Sequence, residues 1–284
     1  MSDEEFEKIY REALSWYEDE DYYRSQRQKF LSRYSNHWQG KITRIFRLAP
    51  DLAGLTVLDV GCGVGTYALE ASLRGAQLAI GIDITYEMVH QGSDLARTQS
   101  GMEGARFIDA DVTAIPFCEN CFDCLIASDI VEHLPDPVLT RMLLECFRVL
   151  TPGGRLVLHT YPTKYDYIFF QWRYLVFFLP GLILSQPGLD RYIEWVDRVP
   201  IQLLTKLKSG RTRDENIARA SHCNTQTLRG LLQMAEICGF LVEEAFVEST
   251  YGSYKTNWLR RFAGRLFRLS DYTERNIYVL AKKE

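Results

Sequence analysis

The sequence predicts a doubly wound α/β fold on a mostly parallel sheet, and three observations carry that expectation. Short apolar runs alternate with longer stretches of helical period from Thr56 to His159. The first run, Thr56 to Val60, stops abruptly at glycine and hands over to a helical pattern near Val64. Acids stand where later runs end, at Asp83, Asp111 and Asp129. Such alternation forms parallel sheets covered on both faces, and their ligands sit beyond the carboxyl ends of the strands.

The stretch Leu55-Thr-Val-Leu-Asp-Val-Gly-Cys-Gly-Val-Gly-Thr-Tyr67 organises the rest of the chain. Gly61, Gly63 and Gly65 alternate just after the strand. Without Cβ atoms they permit positive φ and let a ligand lie against the backbone. The helix that follows leaves free N–H groups at its start, which favour electronegative ligand groups. The second run, Gln77 to Asp83, ends in an acid able to accept both ribose hydroxyls of a nucleoside. A dinucleotide fingerprint reads G-x-G-x-x-G, whereas the third glycine here comes one residue early. The bland alternative is a tight strand-to-helix turn that holds no ligand.

The remaining elements follow in order. Phe6 to Tyr23 has helical spacing, Phe30, Leu31, Tyr34 and Trp38 suggest another helix, and Ile42 to Leu48 a third leading into Pro50. Residues 1–50 thus form an N-terminal helical segment before a core over 51–160. Thr85 is the expected N-cap of a helix running to about Ser100. Ala105 to Ile108 reads as a strand, and a turn-rich link, Ile115 to Asp123, leads into the strand Cys124 to Ala127. Val138 to Leu150 is a periodic helix, Thr151-Pro-Gly-Gly154 its stop, and Arg155 to His159 the next strand. Asn224-Thr-Gln-Thr227 looks like a helix start, Leu228 to Cys238 is periodic, and Gly239 ends it. Phe240 to Val247 and Asn276 to Ala281 alternate as strands.

A series of short motifs recurs in a fixed order: Asp59 to Gly65, Asp83, Asp-Ala-Asp111, Pro116-Phe117 with Phe122-Asp123, Glu132-His-Leu-Pro135 and Arg148-Val-Leu-Thr-Pro-Gly-Gly154. Over about residues 54–162 this series resembles the class I S-adenosylmethionine-dependent methyltransferases, specifically the small-molecule enzymes that include the quinone-biosynthesis methyltransferases. The resemblance implies a Rossmann-like sheet of seven strands with an antiparallel last strand, and S-adenosyl-L-methionine as cofactor. It implies that Gly61 and Gly63 lie against the methionine part and that Asp83 holds the ribose. Ile84 and Met88 would flank the adenine, and Asp111 with Val112 would meet its edge. Asp59, Cys62, Gly65 and Asp129 complete the candidate cofactor set. An N-terminal helix often closes over the cofactor in this family, which makes Tyr22, Tyr34 and Trp38 candidates for a lid.

Composition bounds the function. The chain has 284 residues, 46% hydrophobic and 25% charged, which suits one large α/β domain with additions or two small domains. A net charge of −4 provides no basic field for nucleic acid. The acidic start Met1-Ser-Asp-Glu-Glu-Phe-Glu is no signal peptide, and seven cysteines, an odd count, favour reduced thiols and a cytoplasmic setting. Cys118, Cys121 and Cys124 are spaced like the start of a metal or iron–sulfur site. Cys124 falls inside an apolar strand and no fourth ligand stands at a persuasive spacing, so no metal is expected.

Two insertions set this chain apart. Residues 161–222 form an aromatic-rich segment expected to lie as a helical lid over the acceptor pocket. It holds Tyr161, Tyr165, Phe169, Trp172 and Phe177, interrupted by Gln171, Arg173 and Pro180, so a membrane span is not expected. Within 253–270, Trp258, Phe262, Leu266 and Leu269 alternate with Lys255, Arg260, Arg261, Arg265 and Arg268. That pattern fits either a helix covering the sheet edge or peripheral contact with an anionic membrane. Lys206, Lys208, Arg211 and Arg213 form a further basic cluster, a solvated loop or a seat for phosphate or carboxylate.

The expected function is methyl transfer to oxygen or carbon of a small, hydrophobic or lipid-like acceptor. A base is needed only where the acceptor has a proton to lose, and the candidates are His133, His159, Tyr161 and His222. An NAD(P)-dependent oxidoreductase and a non-catalytic S-adenosylmethionine-binding protein are the alternatives. Acceptor identity and oligomeric state are not legible.

Overall fold

The structure is a computed structural model, and it describes residues 36–161, 163, 180, 183–197, 224–248 and 276–284. The expected helices before residue 36, Tyr22, Tyr34, the aromatic run 164–179, the basic cluster 206–213, His222 and the amphipathic stretch 254–269 lie outside these residues.

In chain order the elements are α1 (Asn36–Leu48), β1 (Thr56–Val60), α2 (Thr66–Leu73), β2 (Leu78–Asp83), α3 (Tyr86–Thr98), β3 (Ala105–Asp109) and β4 (Phe122–Ser128). A single 3₁₀ turn, Val131–His133, precedes α4 (Asp136–Val149) and β5 (Leu150–Thr160). Then come α5 (Gln186–Asp197), α6 (Leu228–Ile237), β6 (Leu241–Glu248) and β7 (Asn276–Lys282). The sheet has seven strands in the order β3-β2-β1-β4-β5-β7-β6. Strands β1 to β5 pair in parallel, and β7 runs antiparallel to both β5 and β6. This is the expected doubly wound, Rossmann-like sheet, mostly parallel with its last strand reversed.

Alternation along each central strand builds two cores. Leu58, Val60, Leu125, Ala127, Leu156 and Leu158 face the side covered by α4 and α6, where Leu139, Met142, Leu143 and Leu231 are buried. Val57, Cys124, Ile126 and Val157 face the other side, against Ile42, Ile45 and Leu48 of α1 and Tyr67 of α2. With both faces covered, the strands carry apolar residues at nearly every position, as parallel sheets require.

Two boundaries differ from the expected ones. The stop at Thr151-Pro-Gly-Gly154 is an irregularity inside β5 rather than a gap before it. Leu150 already pairs with Phe122 and Arg155 with Cys124, so the residues between bulge out. Gly153 at φ 82 makes that turn, tied by its N–H to the Lys283 carbonyl at 2.7 Å. Trp38 belongs to α1 together with Ile42 to Leu48, not to an earlier helix. Thr227 caps α6 by accepting the Gly230 N–H at 3.0 Å, whereas Thr85 takes the N-cap place of α3 without a side-chain bond.

Candidate functional site

Strand order reverses between β1 and β4, and the glycine turn stands at that switch point, where open α/β sheets bind ligands. Each glycine answers a different demand. Gly61 (φ 65) is pressed by the β4 exit loop: a Cβ there would lie 2.2 Å from Ile130 Cδ1. Gly65 (φ 82) starts α2, and its missing Cβ leaves room for the Phe107 ring, whose Cε1 would be 2.1 Å away. The same ring fills the space over Gly81 and Gly92. Gly63 (φ 53) is the exception, because nothing among the described residues lies within 4 Å of where its Cβ would be. Its bare backbone faces open space.

Asp83, at the end of β2, reaches that backbone. Its Oδ2 accepts the Gly63 N–H at 2.8 Å and its Oδ1 the Thr85 N–H at 3.0 Å. Burial pushes its pKa up, while those N–H bonds oppose the rise. Beside it Ile84 is 38% exposed and Ile108 36%, an apolar ledge at the ends of β2 and β3. Met88 is buried beneath and Val112 is 7% exposed. Asp111 spends one carboxylate oxygen on the N–H and hydroxyl of Thr113, at 2.7 and 2.8 Å.

Asp59 and Cys62 stand behind this surface. Asp59 is 1% exposed, and its Oδ2 accepts the Ala68 N–H at 3.0 Å at the start of α2. The Cys62 thiol points inward and is raised by burial.

Residues 57–154 match the family described as a methyltransferase domain. The chain is 37% identical over 114 residues to the ubiquinone biosynthesis O-methyltransferase of Xanthomonas oryzae pv. oryzae, covering 39% of this chain and 44% of that one. It is 37% identical over 108 residues to the demethylmenaquinone methyltransferase of Deinococcus radiodurans, covering 37% and 43%. The chain spans less than half the length of these curated relatives. Among solved structures, geranyl diphosphate C-methyltransferase from Streptomyces coelicolor A3(2), in complex with Mg2+, geranyl diphosphate and S-adenosyl-L-homocysteine, superposes with TM-score 0.59 at 15% identity, over 97% of this chain and 88% of that one. An S-adenosylmethionine-dependent methyltransferase from Mesorhizobium loti gives 0.55 at 18% identity, over 88% and 99%. At these identities the likeness is one of fold.

The cofactor implied for a methyltransferase domain is S-adenosyl-L-methionine, and the cleft fits it. Gly63 offers bare backbone, Asp83 an acceptor pair for a ribose, and Ile84 and Ile108 an apolar seat for a purine. Among the described residues no group of three or more His, Cys, Asp or Glu stands together as a metal site, and no helix is long and apolar enough to cross a membrane. Cys118 and Cys121 are joined as a disulfide, against the expectation of reduced thiols, and Cys124 is buried within β4, so the three do not converge.

On the β4–β5 side the domain carries a polar network that sequence reasoning found only in part. Asp129, at φ 60, pairs with Lys41 of α1, and its Oδ1 lies 3.1 Å from His159 Nδ1. Ser128 Oγ lies 3.1 Å from both Tyr67 Oη and His159 Nδ1. Asn276 donates its amide to the Glu248 carbonyl at 3.1 Å, which turns its Oδ1 toward His159 Nε2 at 3.0 Å. His159 thus faces an acceptor at each ring nitrogen, Asp129 Oδ1 at Nδ1 and Asn276 Oδ1 at Nε2. Burial, and then Lys41, hold that imidazole well below its usual pKa.

Glu132 is 1% exposed and accepts the Thr160 hydroxyl at 2.8 Å; burial raises its pKa to about 7. His133 lies on the 3₁₀ turn at 8% exposure, and half-buried Tyr161 leaves the end of β5. Lys41, Tyr67, Ser128 and Asn276 gave no local signal. Glu132 did, inside the recurring Glu132-His-Leu-Pro135 motif.

Two buried acids make stability depend on pH. Asp59 is raised from 3.8 and Glu132 from 4.5, each to about 7 and chiefly by burial. The folded protein keeps those protons where the unfolded chain has released them, so their contribution to stability declines as pH rises through that interval. Buried neutral His159 acts oppositely, weakening the fold as pH falls below its ordinary 6.5. Two acids outweigh one histidine. Urea unfolding is thus expected to show lower stability at about pH 8 than at about pH 5.5, with a flatter slope in Asp59→Asn. An unchanged slope in that variant contradicts the assignment.

Proposed function

We propose that the chain is an S-adenosylmethionine-dependent methyltransferase acting on an oxygen or carbon of a small, hydrophobic or lipid-like acceptor. The observation that carries this reading is the bare, unobstructed Gly63 backbone beside the Asp83 carboxylate at the switch point of the sheet. The relatives named for ubiquinone and demethylmenaquinone methylation support an acceptor of that size and polarity. When bound, the cofactor supplies a sulfonium methyl group that is already strongly electrophilic. The chain's own work is then to orient and to exclude water.

Gly63 would lie against the methionine part of the cofactor, and Asp83 would hold the ribose. Ile84, Met88 and Val112 surround the base, with Asp111 fixing the turn beneath it. Asp59, Cys62 and Gly65 keep the turn in place from behind, and Gly61, expected against the methionine part, is packed under Ile130. His133, His159 and Tyr161 border the acceptor side as candidates for holding a proton. The 254–269 segment supports peripheral membrane contact, and equal co-sedimentation of the chain and a deletion variant with anionic liposomes would end that part.

Asp83→Ala is expected to weaken binding of S-adenosylhomocysteine by about 1–3 kcal/mol, roughly 5- to 150-fold. Calorimetry on a variant with retained thermal stability checks this, and an unchanged dissociation constant removes Asp83 from the role.

A further inference from the structure

We propose that Cys118 and Cys121 form a reversible thiol–disulfide site, where small soluble thiols exchange with this chain. The site stands apart from the methyl-transfer reading and does not depend on it.

The pair sits on the link from β3 to β4. The two Cα atoms are 5.9 Å apart at a sequence separation of 3, and the sulfurs are bonded. Cys118 is exposed and Cys121 half-buried. The other described cysteines, Cys62, Cys124, Cys146 and Cys238, are free and buried. Burial pushes all four of those thiols up, which leaves them protonated and inert. Among the described residues, the Cys118–Cys121 pair is therefore the one place where cysteine chemistry is open to solvent.

The link is held on both sides of the pair by bonds that do not involve sulfur. Before it, Arg148 in the last turn of α4 donates to the Phe117 carbonyl at 2.8 Å and to the Ile115 carbonyl at 2.9 Å. After it, the Asn120 N–H donates to the Arg148 carbonyl at 3.1 Å and the Cys121 N–H to the Val149 carbonyl at 2.8 Å. Lys283 Nζ donates to Asn120 Oδ1 at 2.8 Å, and the Phe117 and Phe122 rings meet edge to face. None of these contacts needs the sulfur–sulfur bond. They hold the two thiols near each other after it opens, ready to close again. A ring this small also removes little chain entropy, so opening it costs the fold little. Exposed disulfides of this kind are the labile ones, in contrast to buried structural staples.

The exchange balances with two thiols of the reagent. A reagent thiolate attacks the Cys118 sulfur, the more exposed of the two, and the Cys118–Cys121 bond breaks. Cys121 leaves as a thiolate and takes up a proton. A second reagent thiolate then attacks the mixed disulfide, releasing Cys118 and leaving the reagent as its own disulfide. Two electrons and two protons pass from the reagent to the pair. Oxidation by the reagent's disulfide runs the same steps in reverse.

The pair precedes β4, whereas the ligand crevice lies beyond that strand's carboxyl end. The seven residues of β4 put about 20 Å between them. Exchange is thus confined to the far end of the sheet, where Lys283 also bonds the Phe147 and Leu150 carbonyls at 2.7 and 2.8 Å.

The test equilibrates the full chain in glutathione buffers of graded reduced-to-oxidised ratio, ending in dithiothreitol. Samples are quenched in acid, alkylated and mapped by mass spectrometry. Cys118 and Cys121 should pass together from disulfide to two alkylated thiols within the glutathione series. Cys62, Cys124, Cys146 and Cys238 should carry no glutathione at any ratio, and in the native protein should alkylate at least about 10-fold more slowly than reduced Cys118. The reduced protein should keep its thermal midpoint within about 5 °C of the oxidised one. Cys118→Ser, which removes the attacked sulfur, should abolish the transition. A pair that stays oxidised until dithiothreitol, or whose reduction unfolds the protein, is a structural staple and overturns the proposal. So does a pair that forms no disulfide at any ratio, equal labelling of the buried cysteines, or a transition that persists in Cys118→Ser.

Discussion

Gly65→Ala is expected to lose roughly 2–5 kcal/mol of stability. Two penalties add at this position. The residue starts α2 at φ 82, where an L side chain costs about 1–2 kcal/mol. The new Cβ would also lie 2.1 Å from the half-buried Phe107 ring, which packs over Gly81 and Gly92 and would have to shift. Overpacking of that kind costs about 1–3 kcal/mol. Against a typical domain stability of about 5–15 kcal/mol, the variant unfolds at much lower urea concentration. A wild-type midpoint would show that Phe107 moves aside without cost.

Gly63→Ala is expected to behave in the opposite way. Its φ of 53 carries a modest strain of about 1–2 kcal/mol, and no atom of the described residues within 4 Å meets the added methyl. The protein therefore folds. The methyl group would instead occupy the space proposed for the ligand on the backbone, and binding of S-adenosylhomocysteine should fall roughly 10- to 100-fold or more. Paired calorimetry and urea titrations of the two alanine variants separate a glycine kept for packing from one kept for a ligand. Tight binding by Gly63→Ala would contradict the site.

The contrast explains what was legible beforehand. Three glycines in one turn announced a strand, a tight backbone and a helix start, all within thirteen consecutive letters. Their spacing did not reveal that Gly65 serves Phe107, because that ring arrives from β3, more than forty residues later. The sheet was readable because every central strand is apolar on both faces, a pattern that only a doubly covered sheet explains. The β5 start was misplaced because Thr151-Pro-Gly-Gly154 has the composition of a helix stop. Only the pairing of Leu150 with Phe122 shows that the strand has already begun.

The cofactor side of the site was more legible than the acceptor side for a similar reason. Asp83, Asp111 and the glycines are each placed by their own strand end, so local pattern finds them. The network around Asp129 and His159 joins α1, α2, β4, β5, β6 and β7, and its members are far apart in the chain. Lys41 looked like one cation among 33 basic residues until α1 was seen to bring it to Asp129. Asn276 is recognisable only through His159, 117 residues earlier.

The central claim is that the switch-point crevice holds a nucleoside lying on Gly63 and gripped by Asp83. Calorimetric titration of the full chain with S-adenosylhomocysteine, and separately with NAD and NADP, tests it most directly. The account predicts saturable 1:1 heat with the first ligand and none with the nicotinamide nucleotides. Binding of a nicotinamide nucleotide in place of S-adenosylhomocysteine, or no heat with any of the three, would contradict it.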